Sequence, residues 1–254
     1  MKIDAAQNGM VSTLRQAYGA NTNIQRGPNG SLFIESDAPK VPAWKVGEKT
    51  DFDRFIKRHE LSATDSEGKE LKYTMATRGD ANTSKNVTMI VPEYKDGSGL
   101  EWVVIQEEAR PIDVARRGQN ARVLAFPAGI IGDEAAFQSE SAMESAIREL
   151  AEETGLSASK VENLSPVVIK DGKKVITPVM TSPGLTDEAT YFFRAIIDSI
   201  KPSQKAVTDG GVTRGWHFVP LKNIMEWFKS MGELAKIPSG QTLSALMLLL
   251  TRGR

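Results

Sequence analysis

Apolar residues follow two different rhythms along this chain. Through the first half they come as short runs of β-branched and aromatic residues set between turn formers, at Ala43–Val46, Leu71–Met75, Val87–Val91, Trp102–Ile105 and Val123–Phe126. Such runs predict strands, and Lys95-Asp96-Gly97-Ser98-Gly99 between two of them predicts a hairpin connector. The second rhythm is helical. Phe52, Phe55 and Ile56 fall at i, i+3, i+4 and predict a helix over 51–59, while Met143, Ile147 and Leu150 stripe a stronger one at about 141–154. Further strands are predicted at 167–169, 175–179, 190–197 and 215–219, with closing helices near 221–231 and 242–251. Residues 1–40 scatter Gly, Asn, Pro and Ser around one strand-like run, Ser31–Glu35, and read as a loosely structured arm. Short strands with few helices predict an α+β fold, in which 41–85 is an N-terminal β-rich segment and 86–254 the main domain.

Composition narrows the chemistry. With no cysteine in 254 residues there is no disulfide framework, no thiolate metal site and no cysteine nucleophile. Two histidines, His59 and His217, cannot supply a three-histidine zinc site. A metal would therefore be held by carboxylate and carbonyl oxygens, which suit Mg²⁺, Mn²⁺ or Ca²⁺. The 32 basic and 32 acidic side chains cancel, which argues against a nucleic-acid partner. No apolar leader follows Met1, and the apolar run Ala245–Leu250 is too short to span a bilayer, so the expectation is a cytoplasmic protein without membrane contact.

The predicted helix at 141–154 breaks the neutral balance. Glu140, Glu144, Glu149, Glu152 and Glu153 stand against one basic residue, Arg148. Glu149 lies three residues from Glu152 and four from Glu153, so the three share a helix face, where like charges repel. Either the face is simply solvated, with Arg148 pairing to Glu144 and Glu152, or a divalent cation offsets the charge. Ser141-Ala142-Met143-Glu144 fits a capping box and Gly155 a left-handed terminator, so the carboxylates ride on an element with definite ends.

Glu140, seven residues, then Arg148-Glu149-Leu150-Ala151-Glu152-Glu153-Thr154-Gly155-Leu156, with Pro127-Ala128-Gly129 ahead, resembles the Nudix box of hydrolases that cut a nucleoside diphosphate linked to another moiety. One spacing departs from that pattern: ten residues, rather than five, separate Gly129 from Glu140. Ile105-Gln106-Glu107-Glu108-Ala109-Arg110-Pro111, Ser182-Pro183-Gly184-Leu185-Thr186-Asp187-Glu188, and Gly68–Tyr73 with Arg78 resemble segments of the ADP-ribose pyrophosphatase-like branch.

The resemblance implies a Nudix fold, with a mixed sheet sandwiched between helices, and a homodimer acting on a small nucleoside diphosphate substrate. It implies that Glu149, Glu152, Glu153 and the Ala128 carbonyl hold Mg²⁺ or Mn²⁺, with Glu152 also a candidate catalytic carboxylate and Arg148 orienting the glutamates. It puts Gly129 and Arg110 against the substrate. Trp44, Tyr73 and Arg78 would meet the adenosine end. Trp44 and Tyr73 are equally readable as core aromatics, and Arg110 as a strand-end surface arginine. The base is open: the loop 201–214 has Asp209 as its only acid, and Glu188 and Glu140 are alternatives. His217, inside Trp216-His217-Phe218-Val219, reads as a hydrogen-bonded structural histidine. Two functions compete, a Mg²⁺-dependent pyrophosphatase of ADP-ribose or a related nucleoside diphosphate sugar, and a catalytically weak Nudix-like module that binds such nucleotides.

Overall fold

Strands buried on both faces need apolar residues at successive positions, and the chain supplies them in two runs that become the middle of a sheet. The structure, a computed structural model, describes residues 3–36, 57–64, 66–77, 86–132, 135–181, 188–204, 206, 212–234 and 236–252. Its elements begin with helix α1 (Ile3–Tyr18), strands β1 (Ile24–Arg26) and β2 (Leu32–Glu35), and the hairpin β3 (Lys57–Thr64) with β4 (Glu70–Thr77). Strands β5 (Val87–Lys95) and β6 (Glu101–Ala109) follow, then α2 (Pro111–Arg117), β7 (Arg122–Ala125) and β8 (Ala128–Ile130). Helix α3 (Ala142–Thr154) leads to β9 (Lys160–Asn163), β10 (Val167–Lys170), β11 (Lys173–Ile176), β12 (Val179–Met180), β13 (Ala189–Ile197) and β14 (Val212–Pro220). The chain closes through α4 (Ile224–Glu233), β15 (Lys236–Pro238) and α5 (Gly240–Thr251).

Among the described residues, eleven strands join one sheet whose main path runs β1-β2-β14-β6-β5-β13-β12. The sheet is mixed: β5 pairs β13 in parallel and β7 pairs β15 in parallel, whereas β6 pairs β5, β7 and β14 antiparallel. Alternation along its strands feeds two cores. Ile90, Val104, Phe193 and Phe218 face one way, to Met10 and Leu14 of α1 and to Ala146 and Leu150 of α3. Met89, Val103, Ile105, Phe192 and Val219 face the other, to Trp227 of α4 and to Leu246 and Leu249 of α5. The expected α+β architecture, a mixed sheet between helices, is what is found.

Local departures have physical causes. The stretch read as a loose arm is α1, β1 and β2, because Ala6, Met10 and Leu14 recur at helical spacing and are buried, a stripe that the surrounding Gly and Asn conceal. Strand β2 then joins the sheet edge through β14, and the Ser36 hydroxyl donates to the Thr213 carbonyl at 2.6 Å. Of the helix expected at 51–59, residues 51–56 lie outside the described residues, and Lys57–His59 open β3 instead, where cross-strand pairing with β4 outweighs the helical spacing. The hairpin connector at 95–99 is present, with the Asp96 carboxylate accepting from the Ser98 and Leu100 amides at 2.9 and 3.0 Å. None of the described helices is long and apolar enough to cross a membrane.

Candidate active site

Strand β6 decides which charges meet. Because successive residues face opposite sides of a strand, Gln106 and Glu108 turn toward α3, while Ile105 and Glu107 turn toward α4. Gln106 is fully buried, and its amide donates to the Glu153 carbonyl at 3.4 Å, tying the strand to the last turn of α3. Glu108 is 3% exposed and ion-paired to Arg110. Burial pushes the Glu108 carboxyl up, and the Arg110 charge only partly offsets that.

Helix α3 is built as its sequence predicts. The Ser141 hydroxyl accepts from the Glu144 amide at 3.3 Å, and the Glu144 carboxylate accepts from the Ser141 amide at 2.7 Å. Gly155 closes the helix at φ 71°, where a Cβ would stand 2.3 Å from the Gln204 carbonyl oxygen. Between these ends the glutamates divide. Burial, and then the charges of Glu108 and Glu149, drive the Glu153 carboxyl well above its ordinary range, although the Ala128 amide donates to it at 3.2 Å. The Glu149 carboxylate lies in the space where Gly129 lacks a side chain; a Cβ there would sit 1.8 Å from Glu149 Oε1. Gly129 is thus a requirement of the glutamate's position.

Glu152 meets Arg148, whose guanidinium is the hub of a carboxylate network. It reaches Glu152 at 3.0 Å and Glu149 at 2.7 Å, and grips Glu140 with two bonds of 3.2 and 3.0 Å. Burial would lower the Arg148 value, but these carboxylates outweigh it and hold the group above its ordinary range. Glu140 in turn accepts from the Gly132 amide at 2.9 Å, so its carboxylate ties the start of the long stretch between Gly129 and Glu140 to its end. Despite partial burial, its bonds to Arg148 and Gly132 lower the Glu140 carboxyl, which suits an anchor better than a base.

Beside β8 lies a cavity of about 430 Å³ lined by Arg110, Asp113, Ala128, Gly129, Glu188 and Gln241 among apolar walls such as Met89 and Ile237. Four residues singled out from the sequence, Arg110, Ala128, Gly129 and Glu188, therefore share one recess. Gln241, in the first turn of α5, donates to Glu188 and to the Thr190 hydroxyl, both at 3.2 Å. Trp44, Arg78 and Asp209 lie outside the described residues. Tyr73 is in β4, its backbone opposite Leu61. Glu108 and Gln241 escaped the sequence reading. Adjacent acids before Ala109-Arg110-Pro111 were the available sign for Glu108, and nothing local marked Gln241.

The sequence model of the NUDIX domain matches residues 87–236, well over half of the chain. The chain belongs to the Nudix family. No curated protein matches the sequence. Solved structures similar to this Nudix chain include an ADP compounds hydrolase, 18% identical over 80% of this chain and 89% of that one, with a TM-score of 0.48. A NUDIX hydrolase from Nitrosomonas europaea is 20% identical over 68% and 92%, TM-score 0.43. The NUDIX domain of Shewanella oneidensis NrtR, in a structure complexed with ADP ribose, is 12% identical over 68% and 93%, TM-score 0.40.

Whether this Nudix site suits a divalent cation can be asked of its own atoms. Among the described residues no three acidic or histidine side chains converge tightly enough to enclose an ion as they stand. The donor set nevertheless fits one, since Glu108, Glu149 and Glu153 bring mutually repelling carboxylates together and Arg110 is the cation that lowers Glu153. A hard dication would relieve that repulsion with oxygen ligands alone.

Proposed function

We propose that this Nudix hydrolase cleaves the diphosphate of ADP-ribose or a related nucleoside diphosphate sugar, with Mg²⁺ or Mn²⁺, to a nucleoside monophosphate and a sugar phosphate. The observation that carries the reading is the shared recess, in which Arg110, Gly129 and Glu188 surround one cavity at the edge of an acidic helix site. The resemblance of Ile105–Pro111 and Ser182–Glu188 to the ADP-ribose branch supports the substrate class.

Glu149 and Glu153, with Glu152 beside them and the Ala128 carbonyl, would hold the metal. Held there, such an ion would supply neutralisation of charge on the diphosphate and an acidified water. Arg110, a planar fork lining the cavity, takes phosphate oxygens. Arg148 touches carboxylates rather than substrate, and orients them. Glu188 is the candidate that accepts the proton of the attacking water, and Gln241 Nε2 holds its carboxylate toward the cavity. The water oxygen joins one phosphorus, and the bridging oxygen leaves on the other. Asp209 is the rival base. Trp44, Tyr73 and Arg78 are proposed at the nucleoside end, and a homodimer is part of the same reading.

Purified protein with Mg²⁺ should release monophosphate from ADP-ribose in a panel with other nucleoside diphosphate sugars, dinucleotides and nucleoside triphosphates. Tight ADP-ribose binding without turnover of any of them would replace the enzyme by the binding module. Glu188→Gln and Asp209→Asn, compared in pH–rate profiles, separate the two bases: the true one loses the acidic limb.

A further inference from the structure

The lengthened loop before Glu140 does more than connect. Its central turn, Ala135–Phe137, sets the half-buried Phe137 ring 4.7 Å from the Arg148 guanidinium carbon, ring centre to carbon. The Glu140 amide donates to the Phe137 carbonyl at 2.9 Å, so the ring and the carboxylate that grip Arg148 belong to one turn. Gly132, at φ 65°, donates its amide to the Glu140 carboxylate at 2.9 Å. Arg148 therefore stands between two sets of partners. The loop holds it by a flat aromatic contact from Phe137 and a forked bond from Glu140. The helix holds it through Glu149 and Glu152, the carboxylates proposed for the metal.

We infer that Phe137 is a positioning residue for the metal glutamates, acting through Arg148. A guanidinium over a ring face is held by the ring's negative quadrupole and shielded from water on that side. Without the ring the loop keeps the Glu140 fork and a long 3.5 Å bond to the Ile130 carbonyl, and Arg148 shifts its charge toward Glu149 and Glu152. A cation must then compete with Arg148 for the same oxygens. The loop residues unique to the long spacing thus tune how readily the site accepts its ion. The inference rests on the metal reading given above.

The test titrates Mn²⁺ into the full-length protein and follows free ion by its paramagnetic resonance, with no substrate and no turnover. Phe137→Leu keeps an apolar cover and removes the quadrupole; Phe137→Tyr keeps both. Half-saturation should rise about three- to tenfold in Phe137→Leu and stay at the wild-type value in Phe137→Tyr, given the usual strength of a shielded cation–aromatic pair. In turnover assays the Mg²⁺ requirement should rise likewise while KM for the nucleotide stays constant. Melting curves without metal confirm that Phe137→Leu is folded. Equal or tighter Mn²⁺ binding by Phe137→Leu overturns the role of Phe137. A wild-type protein that binds no Mn²⁺ overturns the metal reading, and this inference with it.

Discussion

Glu107 and Glu108 are neighbours on one strand, both about 95% buried or more, and they live in opposite electrostatic worlds. Glu107 faces α4 and is surrounded by cations and donors: His217 Nε2 at 2.7 Å, Lys236 Nζ at 2.8 Å and Arg122 at 3.8 Å. Burial alone would raise its carboxyl, but the bonds to His217 and Lys236 win and hold it at about 2. Glu108 faces α3 with Arg110 as its ion-pair partner, looks onto Glu153, and is pushed up. The first side is complete as it stands and pins β15 to the sheet. The second carries charge that asks for something more. A buried carboxylate by itself says little, since its partners decide whether it is scaffold or site.

The contrast is broken most severely by Glu153→Gln. On the α3 side the substitution removes a repelling charge, so turnover should fall by roughly a thousandfold while the metal-free protein melts no lower than wild type, because a metal supplies several kcal/mol to such a reaction. A marked loss of thermal stability with retained turnover would reverse the assignment of scaffold and site.

Glu107→Gln probes the other side. It leaves Lys236 and Arg122 without their anion and should cost about 2–4 kcal/mol of stability, read from denaturant unfolding, while the folded fraction keeps its activity. The sign of the pH effect follows from the depressed value. Glu107 stabilises the fold fully above the ordinary carboxylate value of 4.5 and loses that contribution as pH falls toward about 2. The acid limb of stability should therefore flatten in Glu107→Gln, and an unchanged limb would rule the cluster out as its origin.

Gly129→Ala sharpens the comparison with a smaller change. The new methyl meets the flexible end of Glu149, so the fold should keep its unfolding free energy within about 1 kcal/mol while the carboxylate swings out of place. Metal-dependent turnover should drop about tenfold, as for other losses of ligand support. Unaltered turnover would mean that Glu149 need not stand where it does.

How far these arrangements could be read from the sequence depends on the range of the forces behind them. The α3 helix was legible almost to its caps, because Ser141, Glu144 and Gly155 act within a turn of their own backbone. The central strands were legible because burial on both faces leaves continuous apolar runs. Helix α1 was not, since its three buried apolar residues are diluted by polar neighbours and most of its docking surface is formed by strands much later in the chain. Within the site, Arg110, Gly129 and Glu188 were found by resemblance, and the cavity brings them together. Gln241 and Phe137 were invisible, because their importance comes only from what lies opposite them in space.

That distance has a consequence in time. Ser36 and Thr213, which meet at the edge of the sheet, are 177 residues apart. At about 5–20 residues per second, a ribosome would deliver the partner strand roughly ten to thirty-five seconds after the first helix. Until then Met10, Leu14, Leu32 and Ile34 have no completed core to enter. The nascent chain thus carries an apolar segment without its core until that partner strand has been made.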